Sequence, residues 1–414
     1  MTEIRTTITA ILEKIVDIKK PQRDFLCHVL VLFLSIRSRI NFSSLERHSK
    51  GVYTESTYRN QFDQFFDFAQ FNRQLIQMYG SGHFVLGFDP SYIRKSGKHT
   101  AQIGKYWSGC SQRTEWGLEA GVFSAIDIDN HTAFHIDAII SPNKKECQTK
   151  DITLLEHYVN TVYWTAQHLE TLSSYLAVDA FFTKKEFILP ILERTNLQII
   201  GRWRDDPNFS YLYKGPQTGE RGAPLKYDGK FSAKEPDFSK MTLSYESQEV
   251  RIYDCVVYSH SLKRSIRIAY TIWLNESGKE RTKIYFSTDL NLPAWLIVKY
   301  YKARFQEEFL FRDGKQFTGL NHCQARSAHK LEYHWNCSLT AINLAKVNFF
   351  LIIPKEQRKA FSMADVKTFC HNQLFIDRFI SIFENEPEML LIKAKLNPLN
   401  PKFKELCTFG CLAA

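Results

Sequence analysis

Tyr301, Arg304, Glu308 and Lys315 lie in one stretch, IVKYYKARFQEEFLFRDGKQFTGL, from Ile297 to Leu320. A helix turns each residue by about 100°, so these four fall within an arc of roughly 60° on one face. An acid flanked by two cations and a hydroxyl suits a metal-bound phosphate. The acid holds the metal, the cations hold phosphate oxygens, and the hydroxyl positions one of them. The same spacing also occurs on solvated helix surfaces, where each ion pair is worth a few tenths of a kcal/mol. Two acids upstream tip the balance towards chemistry. Asp89 closes the apolar run HFVLGFD and Asp179 closes SSYLAVD. Near-continuous apolarity predicts strands buried on both faces. Each aspartate is therefore expected at the end of a strand, where sheets of this kind place their sites.

The spacing Tyr-(2)-Arg-(3)-Glu-(6)-Lys resembles the Y-R-E-K signature of DDE transposases of bacterial insertion sequences, in the branch called insertion sequence family four. The resemblance covers Phe84 to Ala325 and is strongest from Tyr301 to Lys315. It implies an RNase H-like α/β fold: a mixed sheet with helices on both faces, a β-strand insertion, and an N-terminal helical domain. It also implies that Asp89, Asp179 and Glu308 are the catalytic and metal-binding carboxylates for two Mg²⁺ (or Mn²⁺) ions. Asp89 would bridge both ions, and Asp179 and Glu308 would each hold one. Arg304 and Lys315 would grip phosphates near the cut end, with Tyr301 orienting one. Water would nick a transposon end, and the freed 3′-OH would join target DNA. The implied partners are double-stranded DNA and a second copy of the chain, in the cytoplasm of a bacterium at its nucleoid. Whether the second strand is cut through a hairpin is not legible in these residues.

The elements that must position this site follow from pattern. Through Arg312 the stretch is rich in helix formers, so a helix is expected from Pro293 to Arg312. Gly314 weakens a helix interior, which places Lys315 just past its end. From residue 83 the order reads strand, strand, strand, helix, strand, helix, strand, with a hairpin turn at Asp129–Asn130 and a helix from Asp151 to Ser173. The domains expected are 1–80 (helical, DNA-binding), 81–203 (catalytic core, first part), 204–286 (β-rich insertion), 287–353 (core, second part) and 354–414 (helical tail suited to dimerisation).

The chain has 414 residues and a formal charge of +10, which favours a polyanionic partner. Nine cysteines are scattered without a C-x-x-C pair, which argues against a zinc ribbon and points to reduced thiols. No secretory leader is read, and the run Phe25 to Ile36 is too short to span a bilayer. In the first domain, Ile4 to Ile18 is apolar at helical spacing and Pro21 breaks it. Two short helices around Gly51 would present Arg47 and Arg59 to a DNA groove. After Asp89, a loop from Tyr92 to Trp116 carries Arg94, Lys95, Lys98 and Lys105 to a phosphate chain. The insertion offers Lys214, Arg221 and Lys226 to the DNA backbone. Trp203, Trp273 and Tyr211 are aromatic candidates for stacking an extruded base, although each also suits a core.

Three rival readings remain at this point. A transposase descendant that binds DNA without cutting would not need the intact acid triad. A glycoside hydrolase would use two carboxylates and leave the cationic face without a role. Another RNase H-like nuclease, such as a junction resolvase, would cut without joining.

Overall fold

The structure, a computed structural model, describes residues 2–16, 18–204, 206–217, 223–274, 280–382 and 400–412. Five helices come first: α1 (Thr2–Leu12), α2 (Lys20–Ser35), α3 (Phe42–Ser49), α4 (Glu55–Gln61) and α5 (Phe68–Tyr79). Side-chain oxygens of Asn41, Thr54 and Asp67 cap the last three. Pro21 opens α2 in its first turn rather than breaking the helix before it, because a first-turn residue has no intrahelical acceptor for its N–H.

The core alternates as expected. The strands β1 (Phe84–Arg94), β2 (Gly104–Ser108), β3 (Arg113–Asp127) and β4 (Thr132–Ile140) are followed by α6 (Lys144–Thr149) and α7 (Leu154–Leu169). Then come β5 (Tyr175–Val178), α8 (Lys185–Arg194) and β6 (Gln198–Trp203). A capping box of Thr153 and Glu156 fixes the start of α7. The stretch Tyr92–Trp116 is not one loop. The strand β1 continues through Arg94, and β2 pairs back on β3.

Next come β7 (Phe209–Leu212), β8 (Tyr227–Lys230), β9 (Thr242–Glu246), β10 (Val250–Ser259), β11 (Arg264–Leu274) and β12 (Glu280–Ser287). They continue the same sheet, because β12 pairs antiparallel with β6. The order is β2-β3-β1-β5-β6-β12-β11-β10-β7-β8, with β4 also on β3 and β9 also on β10. The sheet is mixed: β1, β5 and β6 are mutually parallel neighbours, while β3 and β4 run antiparallel.

The last helices are α9 (Ala294–Ala303), α10 (Gln306–Gln316), α11 (Ala328–Lys346), α12 (Met363–Ile382) and α13 (Pro401–Thr408). The single helix expected from Pro293 to Arg312 is two. At the joint, the amides of Arg304, Phe305, Glu307 and Glu308 each bond the carbonyl three residues back, a tightened turn that re-aims α10 relative to α9. The helix then runs past Gly314 to Gln316, so Lys315 lies inside it. Gly314 is there for packing, since a Cβ would come within 3.0 Å of Leu339 on α11.

Side chains alternate across the sheet. Leu86, Phe88, Leu176 and Val178 join the core that holds Val162 of α7 and Phe187 of α8. Val85, Ala177 and Ile200 join the opposite core, with Ile297, Val298 and Tyr300 of α9. Both faces are therefore covered by helices. None of the helices among the described residues is long and apolar enough to cross a membrane.

Candidate active site

Asp89 does not end its strand but sits in the middle of β1, opposite Val122 of β3. What ends there is the pairing with β5, whose last partners are Phe88 and Val178. Asp89 and Asp179 are thus the next residues on two parallel neighbours. Pro90, which has no N–H for a ladder, follows. By alternation both aspartates belong to the face covered by α9 and α10, since Val85 and Ala177 are packed against α9.

The second helix delivers the rest. Asp89 is half-buried, and its carboxyl is pushed up to about 6, first by burial. The Arg304 guanidinium opposes that rise, and the charges of Asp179, Glu119 and Glu308 add to it. Lys315 donates from Nζ to Ser91 Oγ at 3.0 Å, two residues beyond Asp89 on the same strand. Burial pulls its ammonium below the usual lysine range, against the pull of Cys110 and Asp89. The Tyr301 ring stacks obliquely on Tyr285 with centroids 4.9 Å apart, and its hydroxyl is raised chiefly by burial, with Asp179 adding to the rise. The charges of Arg304, Asp179 and Glu308 thus reach Asp89, that of Asp89 reaches Lys315, and that of Asp179 reaches Tyr301.

One carboxylate there has no counterpart in the sequence reading. Glu307 is only 2 % exposed. It accepts from Ser124 Oγ at 2.5 Å and from Arg304 Nη1 at 3.4 Å. Burial pushes it up to about 8. It lies over Gly87, where a Cβ would fall 2.1 Å from its Oε1. Its signal was present in the paired Glu307–Glu308, three residues after Arg304, but an adjacent acid reads as surface charge. Gly87→Ala is expected to force Glu307 and Arg304 out of place. Stability should fall by about 1–3 kcal/mol, the usual cost of overpacking. Melting curves of the two proteins check it.

Arg304 keeps its charge more firmly than usual: burial acts against it, and Glu307 and Asp89 outweigh burial. Its Nε is buried without a hydrogen-bond partner, a donor left over for a ligand.

Among the described residues, no group of three or more His, Cys, Asp or Glu is already gathered tightly enough to hold a metal ion. Asp179 turns its Oδ1 back to cap its own Ala180 N–H at 2.7 Å, and Glu308 is exposed at the first turn of α10. The donor set is nevertheless all carboxylate oxygen, which suits a hard divalent cation. The mutual repulsion felt at Asp89 is the charge such a cation would neutralise.

The wider set of expected DNA contacts divides. Arg94, Lys98 and Lys105 are exposed on the extension of β1 and β2 beyond Asp89. Lys95 is a structural tie instead, donating to the carbonyls of Cys323 and Ala325 at 2.6 and 3.0 Å. Arg47 is exposed on α3. Arg59 is engaged by Glu55 and lies over the Phe42 ring. Trp203 is not a stacking residue: it is 8 % exposed and packs on Phe209 and Phe286. Tyr211 is buried as well, and the Lys302 ammonium sits over Trp273 at 4.0 Å. Lys214 and Lys226 are exposed, while Arg221 lies outside the described residues. No family model matches the chain, and no curated protein matches its sequence.

Proposed function

We propose that the chain is a DDE transposase, a metal-dependent enzyme that cuts the ends of a mobile DNA element and joins them to target DNA. The observation that carries this reading is the meeting of two strands and one helix. Asp89 and Asp179 occupy matching positions on parallel neighbours, and the α9–α10 joint and α10 bring Arg304, Glu308 and Lys315 into their neighbourhood. The strand order β4-β3-β1-β5-β6, antiparallel for the first three and parallel for the last three, supports an RNase H-like core. The formal charge of +10 supports a polyanionic substrate.

Asp89, Asp179 and Glu308 would hold Mg²⁺ or Mn²⁺, which would supply activation of an attacking oxygen and stabilisation of a leaving one. Arg304 and Lys315 bind non-bridging phosphate oxygens, and the unpartnered Arg304 Nε is a donor free for that contact. Glu307, itself held by the Ser124 hydroxyl, accepts from the guanidinium from behind, so it is aimed before the substrate arrives. The Tyr301 hydroxyl orients the phosphate beside it. Two copies of the chain would work on two element ends, at the DNA of a bacterial cytoplasm.

The test uses purified protein and duplexes carrying the DNA that flanks its own reading frame. With Mg²⁺ or Mn²⁺, cuts at defined ends followed by covalent joining to a target plasmid are expected. Cleavage without joining would replace this reading by a resolvase-like nuclease, and full activity in excess chelator would end it. Arg304→Ala is expected to weaken binding to those duplexes about tenfold and to lower the slope of log affinity against log salt by about one. Fluorescence anisotropy at several salt concentrations measures both. An unchanged slope would remove Arg304 from the phosphate surface.

A further inference from the structure

Beside the helix that carries Glu308 lies a cavity of about 560 Å³. Its walls come from the β3–β4 turn (residues 129–132), from Gln306, Phe309, Arg312 and Asp313 of α10, from Lys346 at the end of α11, and from Phe350 and the segment 355–361. That is the size of a small-ligand site and many times the ~30 Å³ share of one water. The cavity is not on the track past the acids. Phe84 pairs with Asp127 and Asp89 with Val122, so the turn lies roughly 17 Å along the strand from Asp89.

The cavity is cationic, and most of its charges are held by neutral groups. Arg312 pairs with Asp313 at 3.0 Å. The other cations lack a carboxylate at ion-pair distance among the described residues. Lys346 is 3 % exposed, and its ammonium bonds the Ala133 carbonyl. Burial pulls it down to about 8, with Asp313 opposing. Arg358 is half-buried and donates to three neutral oxygens. These are the carbonyls of Leu351 and Ile353 at 3.0 and 2.7 Å and Asn130 Oδ1 at 2.7 Å. Lys355 and Lys359 are exposed at the rim. The remaining acid of the lining, Asp129, is engaged by His83 at 3.1 Å. Cations buried against neutral acceptors are costly to keep, and an anion from outside would offset that cost.

The rest of the wall is aromatic. Phe309, Phe350 and Phe361 are half-buried there. Phe350 and Phe361 meet edge to face with centroids 6.0 Å apart. Arg312 lies over the Phe309 ring and Arg358 over the Phe350 ring. Phe350 is offered by a π turn, Val347–Leu351, that follows α11, and such turns are frequent at functional sites. A base can stack on an aromatic ring or on a guanidinium plane.

We propose that this cavity binds a nucleoside phosphate, with its base among the three phenylalanines and its phosphates against Lys355, Arg358 and Lys359. A bare phosphate would leave the aromatic wall and most of the volume unused. A duplex, whose major groove alone is about 12 Å wide, does not fit inside. The proposal stands apart from the transposase reading, although the two sites share α10: an occupant touching Gln306 and Arg312 touches the helix that carries Glu308.

The experiment uses the full chain with chelator present, so that no metal can bring a nucleotide to the acids. The probe is ADP with a methylanthraniloyl fluorophore on its ribose. Saturable binding of one probe per chain is expected. Unlabelled ADP should displace it, and pyrophosphate should do so at least about fivefold more weakly, since it has no base to stack. Lys355→Ala with Lys359→Ala should weaken binding about tenfold or more through two lost charged contacts. Both lysines are exposed, so this variant should melt as wild type does. Absence of saturable binding would overturn the proposal, and so would a double variant that binds as wild type does. Pyrophosphate competing as well as ADP would overturn the nucleotide assignment in favour of a bare anion. A short duplex displacing the probe as readily as ADP would overturn it in favour of a DNA surface.

Discussion

Asp89→Asn is expected to abolish cleavage, by about 10³-fold or more, while leaving the protein at least as stable as wild type. The two halves of that expectation have one cause. Burial lifts the Asp89 carboxyl to about 6, opposed by Arg304 and reinforced by the charges of Asp179, Glu119 and Glu308. Between the ordinary aspartate value and 6 the folded state holds a proton that the unfolded state has lost, so this group costs stability as pH rises through that window. Above it the cost is constant, at about 1–3 kcal/mol. Asparagine has the same shape without the charge, so the cost disappears. What also disappears is an anionic oxygen for a divalent cation, a contribution worth several kcal/mol to a developing transition state. A variant that is sturdier yet inactive is the mark of a group kept for chemistry. The measurements are melting temperature at pH 7 and cleavage rate on end-bearing duplexes. Wild-type rates would remove Asp89 from the reaction.

The second large effect is expected far from the site. Lys367 of α12 is 5 % exposed, and its ammonium bonds the carbonyl of Phe33. Phe33 is in the last turn of α2, where carbonyls lack an intrahelical partner. His371 serves Ser35 in the same way at 3.2 Å. Burial brings Lys367 down to about 7, with Cys370 opposing. Between pH 7 and the ordinary lysine value near 10.5 the unfolded chain binds a proton that the folded one does not, so stability rises with pH across that window. Lys367→Met keeps the length of the side chain and removes the proton. Below pH 7 the variant should be more stable than wild type by as much as about 5 kcal/mol. Towards pH 10.5 the order should reverse by about 1 kcal/mol, because the neutral amine still bonds Phe33 and methionine cannot. Melting both proteins from pH 6 to 10.5 checks the crossover. A difference that stays constant with pH would show that Lys367 does not titrate in this range.

Much of the core was legible because its signals are local. The apolar runs ending at Asp89 and Asp179 gave two strands, their order and their buried character, and a helix–strand alternation followed. The Tyr301–Lys315 spacing pointed to the right segment, although not to one helical face, because the segment is two helices with a joint at Arg304–Phe305. What failed depended on neighbours remote in sequence. Gly314 reads as a breaker, yet it is a contact with Leu339 that only the folded chain reveals. Glu307 reads as surface, and its burial depends on Gly87 and Ser124 of other strands. The joint at Arg304–Phe305 has no Gly or Pro to announce it. Trp203 is covered by Phe209 and Phe286, neighbours from other strands that its own surroundings do not announce. The alternation in Lys105-Tyr106-Trp107-Ser108 is a strand signal inside a stretch whose composition suggests a loop.

The return of β12 to the side of β6 has a consequence for how such a protein can change. The excursion leaves β6 after Trp203 and returns beside it as β12, which begins at Glu280, while β7 to β11 extend the same sheet outward. Its length is thereby uncoupled from the separation of the strand that carries Asp179 and the helix that carries Glu308. The flank of β12 acts as a socket into which modules of different size can be fitted while the strand that leads to Asp179 and the helix that carries Glu308 stay put.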